Sequence, residues 1–175
     1  MLRKILAITS CYVLFQSAVL AAQAPSDTPQ DAGQAFLTQN EKKPEVRALP
    51  SGLQYKVIEK GNDKGLKAGP TDFVTVNYRG TLIDGTEFDS SYKRNQPTSF
   101  AVNAVIPGWT EALQLMNPGA KWTIYVPAKL AYGTQAVGDL IKPNSTLIFD
   151  IELLKIKRET DETPTDINDD VADGG

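Results

Sequence analysis

The sequence predicts an α+β fold, in which a curved, mostly antiparallel five-stranded sheet wraps around one short helix. Two observations lead to this prediction. Apolar residues recur at every second position in several short segments, which is typical of strands with one buried face. Only one segment, from residue 107 to residue 116, has clear helical spacing. One helix packed on one face of such a sheet is an α+β arrangement.

Four segments show the strand pattern clearly, and a shorter strand is predicted near residues 100–102. Asp84-Gly85 is a dipeptide favoured in hairpin turns, and it follows the second segment. We therefore expect a sheet of five strands. The alternating apolar residues are Leu53, Tyr55 and Val57; Val74, Val76 and Tyr78; Trp122, Ile124 and Val126; and Leu147, Phe149, Ile151 and Leu153.

The single helix is predicted from Pro107 to Met116. Its apolar residues, Trp109, Ala112, Leu113 and Met116, lie at positions i, i+3, i+4 and i+7 and so share one face. Proline is favoured at the first helical position, where a missing N–H has no cost. The following Asn-Pro-Gly run ends the helix.

The first residues have the pattern of an export signal. Arg3 and Lys4 precede an apolar run that ends in small residues, which predicts a signal peptide over residues 1–22. Cys11 is the only cysteine, so the processed chain would fold without disulfides. These features favour the bacterial periplasm as the location of the exported protein. Secretion, or membrane tethering through an uncleaved leader, remains the alternative, although the apolar run is shorter than a membrane span requires.

Two flanking segments are predicted to lie outside the catalytic domain, which is assigned to residues 48–158. Residues 23–47 are interpreted as a linker, because residues 25–33 are polar and rich in proline and glycine, with a possible short helix from Ala35 to Lys43. Residues 159–175 contain seven acidic residues and no Lys or Arg, which predicts a disordered acidic tail.

Composition excludes several classes of function. The chain has no histidine, which removes serine-histidine triads and the usual zinc sites, and we expect no cofactor and no metal. A net charge of −3 without a basic stripe argues against nucleic-acid binding. What the chain does provide is large apolar residues near turns, and such a pocket suits rotation about the peptide bond before proline. That reaction requires no acid, base, nucleophile or metal.

Three segments carry a resemblance to a known family. They are residues 76–91 (VNYRGTLIDGTEFDSS), residues 105–113 (VIPGWTEAL) and Ala131-Tyr132-Gly133, and together they resemble the FK506-binding type of peptidyl-prolyl isomerase over residues 50–157. Residues 48–55 (ALPSGLQY) resemble the start of the catalytic domain in the macrophage-infectivity-potentiator subgroup. Those relatives carry a long helical dimerisation arm. Only residues 23–47 precede the domain after the leader, so we expect a monomer.

The resemblance implies roles for individual residues. Asp89 would orient the bound amide, with Tyr78 as its hydrogen-bond partner, while the Ile106 N–H and the Tyr132 hydroxyl would bind substrate carbonyls. Trp109 would form the pocket floor. The walls would be Tyr78, Phe88, Phe100, Val105, Ile106 and Phe149, and the rim Leu140 and Ile141.

The loop after Tyr132 departs from the family pattern. Val137 stands where the best-known members have histidine, and residues 139–142 (DLIK) replace a neutral, proline-rich stretch. We therefore expect catalysis to be retained and the preference for substrate sequence to shift.

The resemblance implies an isomerase that acts on X-Pro bonds of exported polypeptides during folding, and that binds macrolides of the FK506 and rapamycin type. Two alternatives stay open. A proline-binding module or holdase chaperone would use the same pocket without turnover. A purely structural domain would bury the aromatic residues in its core and leave no empty pocket at Trp109.

Overall fold

The computed structural model describes residues 28–158, so the predicted signal peptide and acidic tail lie outside the described residues. None of the described helices is long and apolar enough to cross a membrane. In chain order the elements are α1 (Pro29–Asn40), β1 (Val46–Ala48), β2 (Gln54–Glu59), β3 (Phe73–Leu82), β4 (Glu87–Ser90), β5 (Thr98–Ala101), α2 (Pro107–Leu115), β6 (Lys121–Val126) and β7 (Leu147–Lys157).

The described strands form one sheet in the order β1-β2-β6-β7-β3-β4, with β5 also paired to β3, and every pair is antiparallel. The α+β class is confirmed, but the expected count of five strands is wrong, because this part of the chain contains seven. The strands that were missed are β1, which has only three residues, and β4, whose sequence EFDS has a single large apolar residue. Neither is long enough to show alternation.

The centre of the sheet is the long pair β3 and β7, which runs from Phe73 opposite Lys157 to Leu82 opposite Leu147 with one register shift between Thr75 and Val76. The alternating residues predicted for β3, β6 and β7 are buried as expected.

The apolar face of α2 packs into the same core, with Trp109, Ala112, Leu113 and Met116 all buried. The helix ends one residue before the predicted boundary, since Met116 is already extended at ψ 146°. Burial of apolar surface on both elements is the main stabilising term here.

Helix α1 begins earlier and ends earlier than the sequence suggested. It was expected from Ala35 to Lys43, after a linker, but it starts at Pro29 within that linker and stops at Asn40. Thr28 caps the start, since its hydroxyl oxygen accepts a hydrogen bond from the Asp31 N–H at 3.3 Å. Proline at the first helical position also favours initiation.

The helix docks on the sheet through a buried amide pair. The Asn40 side chain donates to Gln54 Oε1 at 3.0 Å, and the Gln54 amide donates to the Leu37 carbonyl at 2.9 Å. Gln54 lies between the alternating apolar residues Leu53 and Tyr55, and the alternation would place it on the opposite, exposed face, but it is only 4% exposed because α1 covers it. Gly33 permits the close approach, since a Cβ there would lie 2.4 Å from Thr146 Oγ1.

We predict that Gln54→Ala lowers the free energy of unfolding by about 2 kcal/mol, because it removes two buried hydrogen bonds, one from the Asn40 amide and one to the Leu37 carbonyl, which keeps only its bond from the Glu41 N–H. Urea unfolding measures the loss, and hydrogen exchange should show α1 opening first. The matched control is Gln39→Ala at an exposed position of the same helix. Equal stability of the two variants would contradict the proposed anchoring.

Candidate active site

A cavity of about 660 Å³ lies between the start of α2, strands β3, β4 and β7, and the loop after β6. Its presence at Trp109 argues against the purely structural reading, which required no empty pocket there. All eleven residues predicted from the sequence line this cavity. They are Asp89, Tyr132 and Ile106, together with Tyr78, Phe88, Phe100, Val105, Trp109, Leu140, Ile141 and Phe149.

Trp109 is held rigidly by its aromatic neighbours. It is 4% exposed and lies in the first turn of α2, directly after Gly108. A Cβ on Gly108 would lie 2.6 Å from Val126 Cγ1, so only glycine allows the helix to begin this close to β6. The indole makes edge-to-face contacts with Tyr78, Phe100 and Phe149, with ring centroids 5.2, 5.7 and 5.3 Å apart. Such contacts fix the ring orientation beyond simple burial.

The wall opposite the helix depends on a second close approach. Phe88 on β4 packs edge to face on Phe149 of β7, with centroids 5.5 Å apart. A Cβ on Gly80 would lie 2.6 Å from the Phe88 ring and 3.0 Å from the Phe149 ring. Glycine at this position in β3 therefore leaves the space that the two phenyl rings occupy. The result is a wall in which the two phenyl rings pack directly against the β3 backbone.

Asp89, whose side chain is 40% exposed at the edge of the cavity, is held by two partners. The Tyr78 hydroxyl donates to one carboxylate oxygen and the Arg94 guanidinium to the other, and Arg94 also donates to the Tyr78 hydroxyl at 2.8 Å. The predicted pairing of Asp89 with Tyr78 is therefore confirmed. Arg94 additionally lies over the Tyr78 ring, with its guanidinium carbon 5.6 Å from the centroid.

This network shifts the pKa values of both acids. Burial alone would raise the pKa of Asp89, but the hydrogen bonds from Tyr78 and Arg94 and the Arg94 charge outweigh it, so the pKa lies below its ordinary value. Burial and the hydrogen bond to Asp89 raise the pKa of the Tyr78 phenol. Asp89 is therefore a carboxylate and Tyr78 a neutral phenol at ordinary pH.

Arg94 was missed by the sequence reading. It lies in a turn, where the Arg94 N–H donates to the Ser91 carbonyl at 3.1 Å and Asn95 adopts a positive φ of 51°. This turn brings Arg94 back over Asp89. A basic residue five positions after an acid is a common pattern, so nothing in the sequence distinguished Arg94.

Four residues that line the cavity were not predicted from the sequence. They are Ala104, Val137, Gly138 and Asp139.

Two polar groups at the cavity could bind a substrate carbonyl because they have no protein partner. The Ile106 N–H precedes the first turn of α2, and the Tyr132 hydroxyl belongs to a residue that is 37% exposed. Neither group has a hydrogen-bond partner among residues 28–158. A donor left free beside an apolar cavity can bind a carbonyl of a ligand. Within the same residues, no three His, Cys, Asp or Glu side chains form a group that could hold a metal ion.

Comparison with known proteins gives matches along most of the chain. The family model described as FKBP-type peptidyl-prolyl cis-trans isomerase matches residues 64–154. A second model, described as the domain amino terminal to FKBP-type peptidyl-prolyl isomerase, matches residues 5–57. The first match contains all the predicted site residues.

Individual relatives agree with the family match. Outer membrane protein MIP of Legionella longbeachae is 57% identical over 126 residues, which cover 72% of this chain and 53% of that protein. The peptidyl-prolyl cis-trans isomerase Mip of Coxiella burnetii is 52% identical over 129 residues, which cover 74% of this chain and 55% of that protein. The chain thus spans about half the length of these curated relatives.

A solved structure extends the similarity to three dimensions. The peptidyl-prolyl cis-trans isomerase of Pseudomonas syringae superimposes with a TM-score of 0.69 at 38% sequence identity. The match covers 77% of this chain and 98% of that one. The similarity of fold therefore extends over nearly the whole length of that relative.

We predict that Arg94→Ala raises the pKa of Asp89 toward the ordinary carboxyl range, because the variant loses a hydrogen bond and a nearby positive charge. Carbon-detected NMR titration of the Asp89 carboxyl group measures the change. Lys93→Ala is the matched control, since Lys93 pairs with Glu87 instead, at 2.9 Å. An unchanged pKa of Asp89 in Arg94→Ala would show that Tyr78 alone holds the carboxylate.

Proposed function

Because this chain belongs to the family of FKBP-type peptidyl-prolyl cis-trans isomerases, we propose that it accelerates the cis-trans isomerisation of X-Pro bonds in other polypeptides. The single observation that carries the proposal is the cavity itself. It has an aromatic floor and walls, with two free hydrogen-bonding groups at Ile106 and Tyr132. Uncatalysed, the reaction takes tens to hundreds of seconds and can limit folding.

The physics of the reaction matches such a cavity. The barrier of about 18 to 20 kcal/mol comes from amide resonance, which is lost when the bond twists. The planar amide is more charge-separated than the twisted one, so an apolar, water-poor site stabilises the twisted state relative to the planar state. A thousandfold acceleration needs only about 4 kcal/mol.

We assign the residues roles that fit their positions. Trp109 forms the floor on which the proline ring of the substrate lies. Three aromatic contacts fix the orientation of its indole. The Ile106 N–H and the Tyr132 hydroxyl bind carbonyls on either side of the reacting bond. Asp89 orients the amide as an ionised group held by Tyr78 and Arg94. Each role uses a group already in place before substrate arrives, which lowers the entropic cost of binding.

The same cavity would accept macrolides of the FK506 and rapamycin type, since the family is described by that ligand class and the apolar lining suits such a ligand. We place the protein in the periplasm, where it would act on exported polypeptides. The leader pattern of residues 1–22 supports this location, and the Legionella relative is named as an outer membrane protein. Action as a monomer and the boundaries of domain 48–158 are likewise part of the proposal.

We predict that Asp89→Leu lowers kcat/KM for a proline-containing peptide at least tenfold, equivalent to about 1.4 kcal/mol of transition-state stabilisation. The change removes the charge that orients the amide. A protease-coupled assay measures the rate, after near-ultraviolet circular dichroism has shown that the variant is folded. Asp63→Leu, the same substitution at an exposed residue that lines no cavity, is the control.

The assay also separates isomerase from binding module. Peptide binding by the wild type without acceleration would replace the proposal by the holdase alternative. Full activity in folded Asp89→Leu would remove Asp89 from the mechanism while leaving the isomerase assignment intact.

We predict that kcat/KM stays constant from about pH 5 to pH 8. The chain has no histidine to titrate in this range, the pKa of Asp89 lies below its ordinary value, and that of Tyr78 lies above its own. The Asp89 carboxylate is therefore lost only when the pH falls through its lowered pKa. A pH-rate profile tests this, and a step near pH 6.5 would contradict it.

A further inference from the structure

A second, smaller cavity of about 320 Å³ adjoins the proposed active site. It lies beside the turn between β3 and β4, and the start of α1 contributes Pro29 to its lining. Asp139 and Leu140 line both cavities, so they form the ridge between them. A polypeptide that leaves the active site in this direction has to cross the ridge.

The ridge is the tip of a short hairpin that the backbone holds in place. The Val137 N–H donates to the Ile141 carbonyl at 2.9 Å, and the Ile141 N–H donates back at 3.3 Å. Gly138 takes a positive φ of 57°, which allows the tight reversal. Ile141 is buried, while Leu140 is 43% exposed. The position of Asp139 is therefore fixed by main-chain hydrogen bonds and by an anchored neighbour.

Three carboxylates line the two cavities, and only Asp139 lacks a partner within residues 28–158. Asp89 is paired with Arg94. Asp84 accepts a hydrogen bond from the Thr86 N–H at 2.9 Å and is close enough to Lys142 for that charge to help lower its pKa. Asp139 makes no hydrogen bond and no ion pair within residues 28–158, and it is exposed. Asp139 therefore places one unpaired negative charge at the mouth of a site whose lining is mainly apolar.

We propose that Asp139 determines substrate specificity by selecting a basic side chain next to the proline of the substrate. This inference rests on the proposed isomerase function. An unpaired carboxylate attracts an ammonium or guanidinium group and disfavours a carboxylate at the same place. Lys142 in the second cavity repels a cation there, so the basic side chain approaches Asp139 from the side of the active site.

The expected size of the effect follows from exposure. Ion pairs at exposed positions are weak, so a Lys peptide should exceed the matching Glu peptide in kcat/KM by about two- to fivefold. The preference should shrink in about 0.5 M salt, because exposed charges are screened. A large, salt-independent preference would have to come from a different contact.

The test uses two peptide series, with Lys, norleucine or Glu either immediately before or immediately after the proline. For the wild type we expect a Lys-to-Glu ratio of kcat/KM above two in at least one series. In Asp139→Asn the ratio should fall to about one, and in Asp139→Lys it should fall below one. Asp63→Asn, which changes the same charge outside both cavities, should keep the wild-type ratio.

The outcomes distinguish the inference from the function on which it rests. Acceleration of the norleucine peptides, with the same Lys-to-Glu ratio in wild type and Asp139→Asn, would overturn the role of Asp139 and leave the isomerase assignment standing. If the wild type accelerates no peptide, the isomerase proposal fails. In that case the Kd values of the same peptides are measured by calorimetry. Tighter binding of the Lys peptide than of the Glu peptide by the wild type, and equal binding of the two by Asp139→Asn, would support the role of Asp139. Equal binding of the two peptides by the wild type would overturn it.

Discussion

The structure depends on the packing of the Trp109 indole between the first turn of α2 and the sheet. Gly108 lets the helix begin against Val126, and this brings the indole within edge-to-face distance of three rings from β3, β5 and β7. One side chain therefore joins α2 to three strands. It also closes the bottom of the cavity, so the packing that stabilises the domain is the packing that shapes the site.

This dual role explains why the apolar part of the site is rigid while its polar part is mostly unpaired. The rings are held by mutual contact and cannot relax into the empty volume. The Ile106 N–H is free because the first turn of a helix leaves its donors without intrahelical partners. Asp89 is the exception, since Tyr78 and Arg94 both donate hydrogen bonds to its partly exposed carboxylate.

Much of the fold could be predicted because its main strands each bury one face. Alternation located β3, β6 and β7, and helical spacing located α2 to within one residue. The same rule failed for β2 at Gln54. Its amide is buried under α1 through hydrogen bonds to Asn40 and Leu37, a long-range contact that leaves no local pattern. Hydrophobic periodicity detects apolar burial only, and here the buried group is polar.

The site residues were accessible to sequence reasoning to different degrees. The aromatic residues stood out because large apolar side chains near turns exceed what one sheet face needs. Arg94 was not identified, since its contact with Asp89 depends on a turn that no sequence pattern predicts. Asp139 was noticed as a departure from the family pattern, yet its place between two cavities depends on how the hairpin folds.

That hairpin also limits how the domain can change over evolutionary time. Its closure uses main-chain atoms of Val137 and Ile141, Gly138 is restricted by its positive φ, and Ile141 is committed to the core. The side chains of Val137, Asp139 and Leu140 are therefore free to change without disturbing closure. New substrate preferences could arise by single substitutions at these three positions while the reaction centre is inherited unchanged.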